Sequence, residues 1–204
     1  MKKDKINVAV LVSGGGTNLQ ALIDAEKNGI IKNAKISVVI SSNKDAYALQ
    51  RAKGNSIDAY VVEKKRFEMQ GEYEIAMFGI LDMYDTDLIV LAGFLNILSD
   101  KFVQKFANRI INVHPSLIPS FCGEGFYGLK VHEEALKKGV KVTGATVHFV
   151  NKNVDDGEII EQKAVRVLDG DTPEILQQRV MKEAEHIILP QSVEKIARGI
   201  LESS

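Results

Sequence analysis

Seven mostly apolar residues, Ile6 to Val12, run straight into Ser13-Gly14-Gly15-Gly16-Thr17-Asn18, where a helical pattern begins. A strand that ends in glycines and reopens as a helix is a βα unit, and such a strand needs parallel neighbours covered on both faces. The rest of the first half supplies them. Short apolar runs alternate with helical patterns, which predicts strands over 6–12, 35–41, 58–62, 87–92 and 108–113 and helices over 17–28, 45–53 and 68–84. Beyond residue 115 the pattern changes. Pro115, Pro119 and a stretch rich in glycine and aromatics over 120–128 read as a long loop, and a helix follows over 129–138. Residues 142–150 and 158–167 read as antiparallel strands, and Thr172-Pro173-Glu174 opens a last long helix. The fold class is α/β: a doubly wound, mostly parallel sheet flanked by helices, with a C-terminal antiparallel extension of the same sheet. One domain over 1–204 is expected. In such sheets ligands sit beyond the carboxyl ends of the strands.

Composition removes several function classes. A formal net charge of −1 gives no basic footing for nucleic acid. The single cysteine, Cys122, excludes an internal disulfide and fits a reducing compartment. No apolar run approaches membrane-spanning length, and the basic start Met1-Lys2-Lys3 has no signal core behind it. A cytoplasmic protein is expected, with no membrane or nucleic-acid partner.

The glycine loop is the first candidate site. Glycines let a backbone come close to a ligand, and the first turn of a helix carries unpaired N–H groups. Together they suit a phosphate or another compact anion. A tight turn kept for packing, with Thr17 as helix cap, is the plain alternative. No Lys-Ser/Thr follows the last glycine, as a nucleoside-triphosphate loop requires. No acid ends the second strand at Ile40-Ser41-Ser42-Asn43, as a dinucleotide site requires. A monophosphate is the better match.

The second candidate is Asn112-Val113-His114-Pro115. Strand alternation puts Asn112 and His114 on one side, where an amide and an imidazole can stabilise an oxyanion and move a proton. A histidine that merely closes the strand end is the alternative. Asp156-Gly157 reads as a hairpin turn, which leaves Asp155 unexplained. A carboxylate there, if near His114, would raise the imidazole pKa. No histidine or cysteine cluster accompanies these acids, so no metal is expected. His148 reads as packing inside a strand, His132 as a surface residue and Cys122 as a loop residue. Glu185-His186 and Lys64-Lys65-Arg66 read as solvated faces.

Taken in order, Ser13-Gly14-Gly15-Gly16-Thr17-Asn18-Leu19-Gln20, Leu91-Ala92-Gly93-Phe94, Asn112-Val113-His114-Pro115-Ser116-Leu117-Ile118-Pro119 and Thr146-Val147-His148-Phe149-Val150 with the later Asp155 resemble one family. It is glycinamide ribonucleotide formyltransferase, a folate-dependent enzyme family of purine biosynthesis and one-carbon metabolism. The resemblance runs from residue 6 to about 200. It implies transfer of the formyl group of 10-formyltetrahydrofolate, a co-substrate, to the amine of glycinamide ribonucleotide, by a monomer or homodimer. It implies a Rossmann-like phosphate-binding half near 1–112 and a folate-binding, catalytic half near 113–204. By resemblance Asn112, His114 and Asp155 are the catalytic trio. Gly15, Gly16, Thr17 and Asn18 hold the substrate phosphate, and Glu185 contacts the ribose. Phe94, Leu95, Asn96, Ile97, Leu98, Val150 and Asp155 line the folate pocket. Asn96 stands where many members carry arginine, and the loop over 120–128 is longer than in the shorter members. A hydrolase sharing the trio, and a transfer-RNA formyltransferase, would each be expected to carry a further domain. A non-catalytic sugar-phosphate or folate-binding module is the alternative of a different class.

Overall fold

The computed structural model describes residues 3–203. Five strands run parallel: β1 (Ile6–Val12), β2 (Ala34–Ser41), β3 (Asp58–Val61), β4 (Leu88–Leu91) and β5 (Ile110–His114). Two more, β6 (Val142–Phe149) and β7 (Ile159–Arg166), extend the sheet antiparallel. The order is β3-β2-β1-β4-β5-β6-β7, so the chain reverses direction across the sheet between β1 and β4. Every residue of β1 but Asn7 is buried, because helices cover both faces. Val8, Val10 and Val12 pack on one side with Leu19 and Leu22 of α1 (Thr17–Lys27) and with Ile188 and Leu189 of α7 (His186–Glu202). Ala9 and Leu11 face the other, against Tyr73 and Met77 of α3 (Gln70–Met83) and Phe102 of α4 (Asp100–Lys105). This is the mostly parallel, doubly wound sheet with an antiparallel extension that the apolar pattern requires.

Three elements depart from expectation. The short α4 has no counterpart in the sequence reading. It is six residues long, too short for a helical period to register, and it is held at its start by Ser99, whose Oγ accepts from Phe102 N at 3.2 Å. The helix α2 (Ala48–Gly54) starts three residues after the expected position. Asn43 explains the delay: its side chain and carbonyl take the amides of Asp45 and Ala46, which makes a turn there. The last helix is not continuous. Between α6 (Pro173–Val180) and α7 lies a π turn over Met181–Glu185. Such wide turns redirect side chains and concentrate at functional sites. Among the described residues no helix is long and apolar enough to cross a membrane.

Candidate active site

A cavity of about 650 Å³ opens beyond the carboxyl ends of β1, β4 and β5. Thr17, Asn18 and Glu185 line one end. The Gly93–Leu98 segment that follows β4 forms a wall, and Asn112, His114, Val150 and Asp155 line the floor. Gly15 and Gly16 border this space without lining it.

At the first end Gly16 takes a left-handed conformation (φ 70°) and turns the chain into α1. Thr17 is therefore the first helical residue and not a cap; its side chain makes no capping bond. The first helical hydrogen bond runs from Gln20 N to Gly16 O. The N–H groups of Gly15, Gly16, Thr17, Asn18 and Leu19 find no acceptor among the described residues. Five free donors at the positive end of a helix are an arrangement able to take an anion. Beside them the Asn18 amide donates to Glu185 Oε2 at 2.7 Å, while its own oxygen has no partner.

The wall is pinned from two sides. Leu95 N donates to Ser13 Oγ at 2.9 Å, and Ser99 N donates to Glu74 Oε1 at 2.7 Å. Leu95 and Ile97 are left 62% and 64% exposed, apolar surface fit for a flat hydrophobic ligand. Asn96 donates to the hydroxyl of the buried Tyr73 at 3.0 Å, so it is tied to α3 and cannot act as a mobile cation would.

The floor brings Asn112, His114 and Asp155 together. Asn112 and His114 are alternate residues of β5 and face the same way. Gly157 makes the loop before β7 possible, since a Cβ there would lie 1.6 Å from the Phe149 carbonyl oxygen. Asp155 itself sits at φ 55°, a left-handed conformation that Asp tolerates better than most residues. Its carboxylate then reaches His114 Nδ1 at 3.4 Å and accepts from Asn112 Nδ2 at 3.4 Å and from Gly123 N at 3.0 Å. His114 Nε2 donates to the Phe121 carbonyl at 2.9 Å. That contact belongs to the loop following the cis Ile118–Pro119 bond.

The electrostatics differ from expectation at His114. Burial lowers the imidazole pKa below its usual value and outweighs the opposing pull of Asp155 and the Phe121 carbonyl; His148 adds to the lowering. Burial thus biases the ring toward its neutral form, and Nε2, which faces the Phe121 carbonyl, carries a hydrogen. Burial also works to raise the Asp155 pKa. The close approach of His148, the charge of His114 and the hydrogen bond from the Gly123 N–H together prevail and hold the carboxyl below the ordinary range.

Three further side chains correct the sequence reading. His148 is not mere packing: it pairs directly across the sheet from Asn112, and its Nε2 lies 3.2 Å from Asn112 Nδ2 and 3.6 Å from Asp155 Oδ1. The sequence signal was its alternation with Thr146, which matches that of Asn112 and His114 once β6 is paired against β5. Glu185 is not solvated. The π turn brings it inward to 7% exposure, and burial pushes its carboxyl up to about 7 against the opposing Asn18 bond.

His132, expected at the surface, is fully buried at the cavity margin on α5 (Leu129–Lys138), and neither ring nitrogen has a partner. Burial, with the nearby His114 charge, pushes its pKa down to about 4. A folded-state value below the unfolded one stabilises the fold above pH ~6.5, and that stability is lost as pH falls toward 4. His132→Leu should therefore remove about 2 kcal/mol of the stability lost between pH 7 and 4.5. Denaturant unfolding at both pH values reads this; equal losses in both proteins would refute it.

The comparisons with known proteins fit this geometry. A family model described as formyl transferase matches residues 6–193. The chain belongs to the formyl transferase family. Among relatives, it is 39% identical to the phosphoribosylglycinamide formyltransferase of Escherichia coli over 196 residues, covering 96% of this chain and 89% of that one. It is 43% identical to the human trifunctional purine biosynthetic protein adenosine-3 over 201 residues, covering 98% of this chain. The chain spans 19% of the length of that trifunctional relative. Among solved structures, glycinamide ribonucleotide transformylase 1 from Symbiobacterium toebii superposes with a TM-score of 0.89 at 42% identity, covering 96% of this chain and 89% of that one. That solved relative thus shares the fold described above. Among the described residues no group of three or more His, Cys, Asp or Glu side chains is placed to hold a metal ion.

Proposed function

We propose that this member of the family transfers the formyl group of 10-formyltetrahydrofolate to the amine of glycinamide ribonucleotide, in keeping with relatives named phosphoribosylglycinamide formyltransferase. The observation that carries the reading is the convergence of Asn112, His114 and Asp155 on one floor of a cavity whose end is lined by Thr17 and Asn18, two of the five residues with free amides. The 5′-phosphate takes the amides of Gly15, Gly16, Thr17 and Asn18, and a ribose hydroxyl takes Glu185. The folate lies along the apolar wall from Phe94 to Leu98, with Val150 opposite, and its formyl group points to the floor.

The neutral substrate amine attacks the formyl carbon directly, forming a C–N bond and a tetrahedral adduct with negative charge on the former carbonyl oxygen. Asn112 Nδ2–H and His114 Nε2–H donate to that oxygen, which takes the place of the Phe121 carbonyl as acceptor of the imidazole. One such donor contributes about 3–4 kcal/mol to the transition state. Asp155 accepts the proton lost by the amine, directly or through water. The oxyanion then re-forms the carbonyl, and folate nitrogen N10 leaves with the C–N10 electron pair and takes up the proton that Asp155 accepted, directly or through water. No covalent enzyme intermediate is involved.

The test is tetrahydrofolate release from 10-formyltetrahydrofolate by the purified protein, with and without glycinamide ribonucleotide. Release that requires the ribonucleotide and yields its N-formyl derivative is expected. Release without it, with free formate, would make the protein a hydrolase. No release from folded protein would leave a binding module.

A further inference from the structure

We infer that Arg51 is a positioning residue for the phosphate loop: its guanidinium holds the Gly15 carbonyl and thereby aims the Gly16 N–H at the ligand. The inference rests on the proposed use of that loop as the phosphate site.

A trans peptide is planar, so the carbonyl of one residue and the N–H of the next point in opposite directions. Whatever holds the carbonyls of a loop therefore aims its amides. Two contacts from α2 do this. Ala48 N donates to the Gly14 carbonyl at 3.1 Å, which turns the Gly15 N–H away from α2. Arg51 Nε donates to the Gly15 carbonyl at 2.8 Å, which turns the Gly16 N–H away in the same sense. Two of the five free amides owe their direction to these bonds.

The guanidinium is itself held in place. Its Nη1 donates to Gln20 Oε1 on α1 at 3.3 Å, and its central carbon lies 5.1 Å from the Tyr47 ring centroid. The loop also seats directly on α2, since a Cβ on Gly16 would come within 2.6 Å of the Ala48 Cβ. Arg51 thus joins α1, α2 and the loop in one fixed geometry. With its Nε and Nη1 engaged by protein acceptors, its role is to orient backbone donors and not to act as a diffuse positive charge.

Charge and geometry are separable by substitution. Arg51→Lys keeps the charge but lacks the planar fork that bonds Gly15 and Gln20 together. Arg51→Ala removes both. Binding of ribose 5-phosphate, which carries the phosphate but no amine, is measured by calorimetry on the whole protein. KM values for the ribonucleotide and the folate are measured alongside, with thermal unfolding as a check on the fold.

Both variants are expected to weaken ribose 5-phosphate binding about fivefold, the effect of one lost hydrogen bond. The ribonucleotide KM should rise in parallel, with folate KM and thermal midpoint unchanged. Wild-type affinity in Arg51→Ala would overturn the inference. So would wild-type affinity in Arg51→Lys, because charge alone would then suffice. A wild-type protein that turns over the ribonucleotide without binding ribose 5-phosphate would also overturn it. Ribose 5-phosphate binding without any turnover would instead overturn the proposed reaction, and the two variants would still decide the role of Arg51.

Discussion

Asp155→Asn is expected to lower turnover about 100-fold, with the ribonucleotide KM changed less than about twofold. The asymmetry follows from where Asp155 sits. It lies on the floor of the cavity, against His114 and Asn112, and makes no contact with the amide donors at the start of α1. The substitution exchanges one carboxylate oxygen for an amide nitrogen and removes the charge. If the nitrogen takes the Oδ2 position it faces the Gly123 N–H, donor against donor; if it takes the Oδ1 position it faces the Asn112 amide in the same way. Neither orientation preserves the network. The proposed proton acceptor for the attacking amine is lost outright. His114 also loses the one carboxylate that opposes the effect of burial on its pKa, so its ring becomes still harder to protonate. Steady-state kinetics with each substrate varied in turn reads the effect. Turnover within threefold of wild type would remove Asp155 from the reaction, and a large rise in ribonucleotide KM would place it in binding.

The sheet was largely legible from the chain, for a definite reason. Strands such as Leu88–Leu91 are buried on both faces, so their residues are apolar without interruption and stand out from the helical patterns between them. The candidate trio was legible in parts. Asn112 and His114 share a strand, and alternation alone places them together. Asp155 needed the hairpin before β7 to carry it back across the sheet, which no local pattern encodes. His148 and His132 show the limit. Each lies in an ordinary strand or helix pattern, and its role depends on what another element presents to it: Asn112 across the β5–β6 pairing for one, and a cavity margin with no partner for the other. Residue types give the upward pull of Asp155 on the His114 pKa, but not the burial that opposes it. At this position burial dominates. Arg51 left no sequence signal at all, since its contact is to a backbone carbonyl and not to a motif residue.

Glu185→Gln should make the protein more stable above pH 7 and worse at binding the ribonucleotide. The carboxyl is enclosed by the π turn and has one donor, the Asn18 amide at 2.7 Å, so burial raises its pKa to about 7. In the unfolded chain the same group titrates near 4.5. Between those values the folded protein holds a proton that the unfolded chain has released. The contribution of Glu185 to stability is thus complete below pH ~4.5 and is lost as pH rises through 7, a change of about 3 kcal/mol. Glutamine cannot ionise, retains an oxygen for the Asn18 amide and has nearly the same shape. The variant should match wild type at pH 4.5 and exceed it by up to about 3 kcal/mol at pH 8.5. Function runs the other way. A ribose hydroxyl donated to this site meets an anion in the wild-type protein above pH 7 and a neutral amide in the variant, and hydrogen bonds to charged groups are about twice as strong. The ribonucleotide KM should therefore rise several-fold at pH 8.5 and much less at pH 6, where the wild-type carboxyl is already mostly protonated. Chemical denaturation and KM measured across pH 5 to 9 test both arms on the same samples. A variant whose stability follows the wild-type pH profile would show that Glu185 does not titrate near 7 in the folded protein. Such a residue would carry its charge at every working pH, with the Asn18 amide offsetting the burial of that charge.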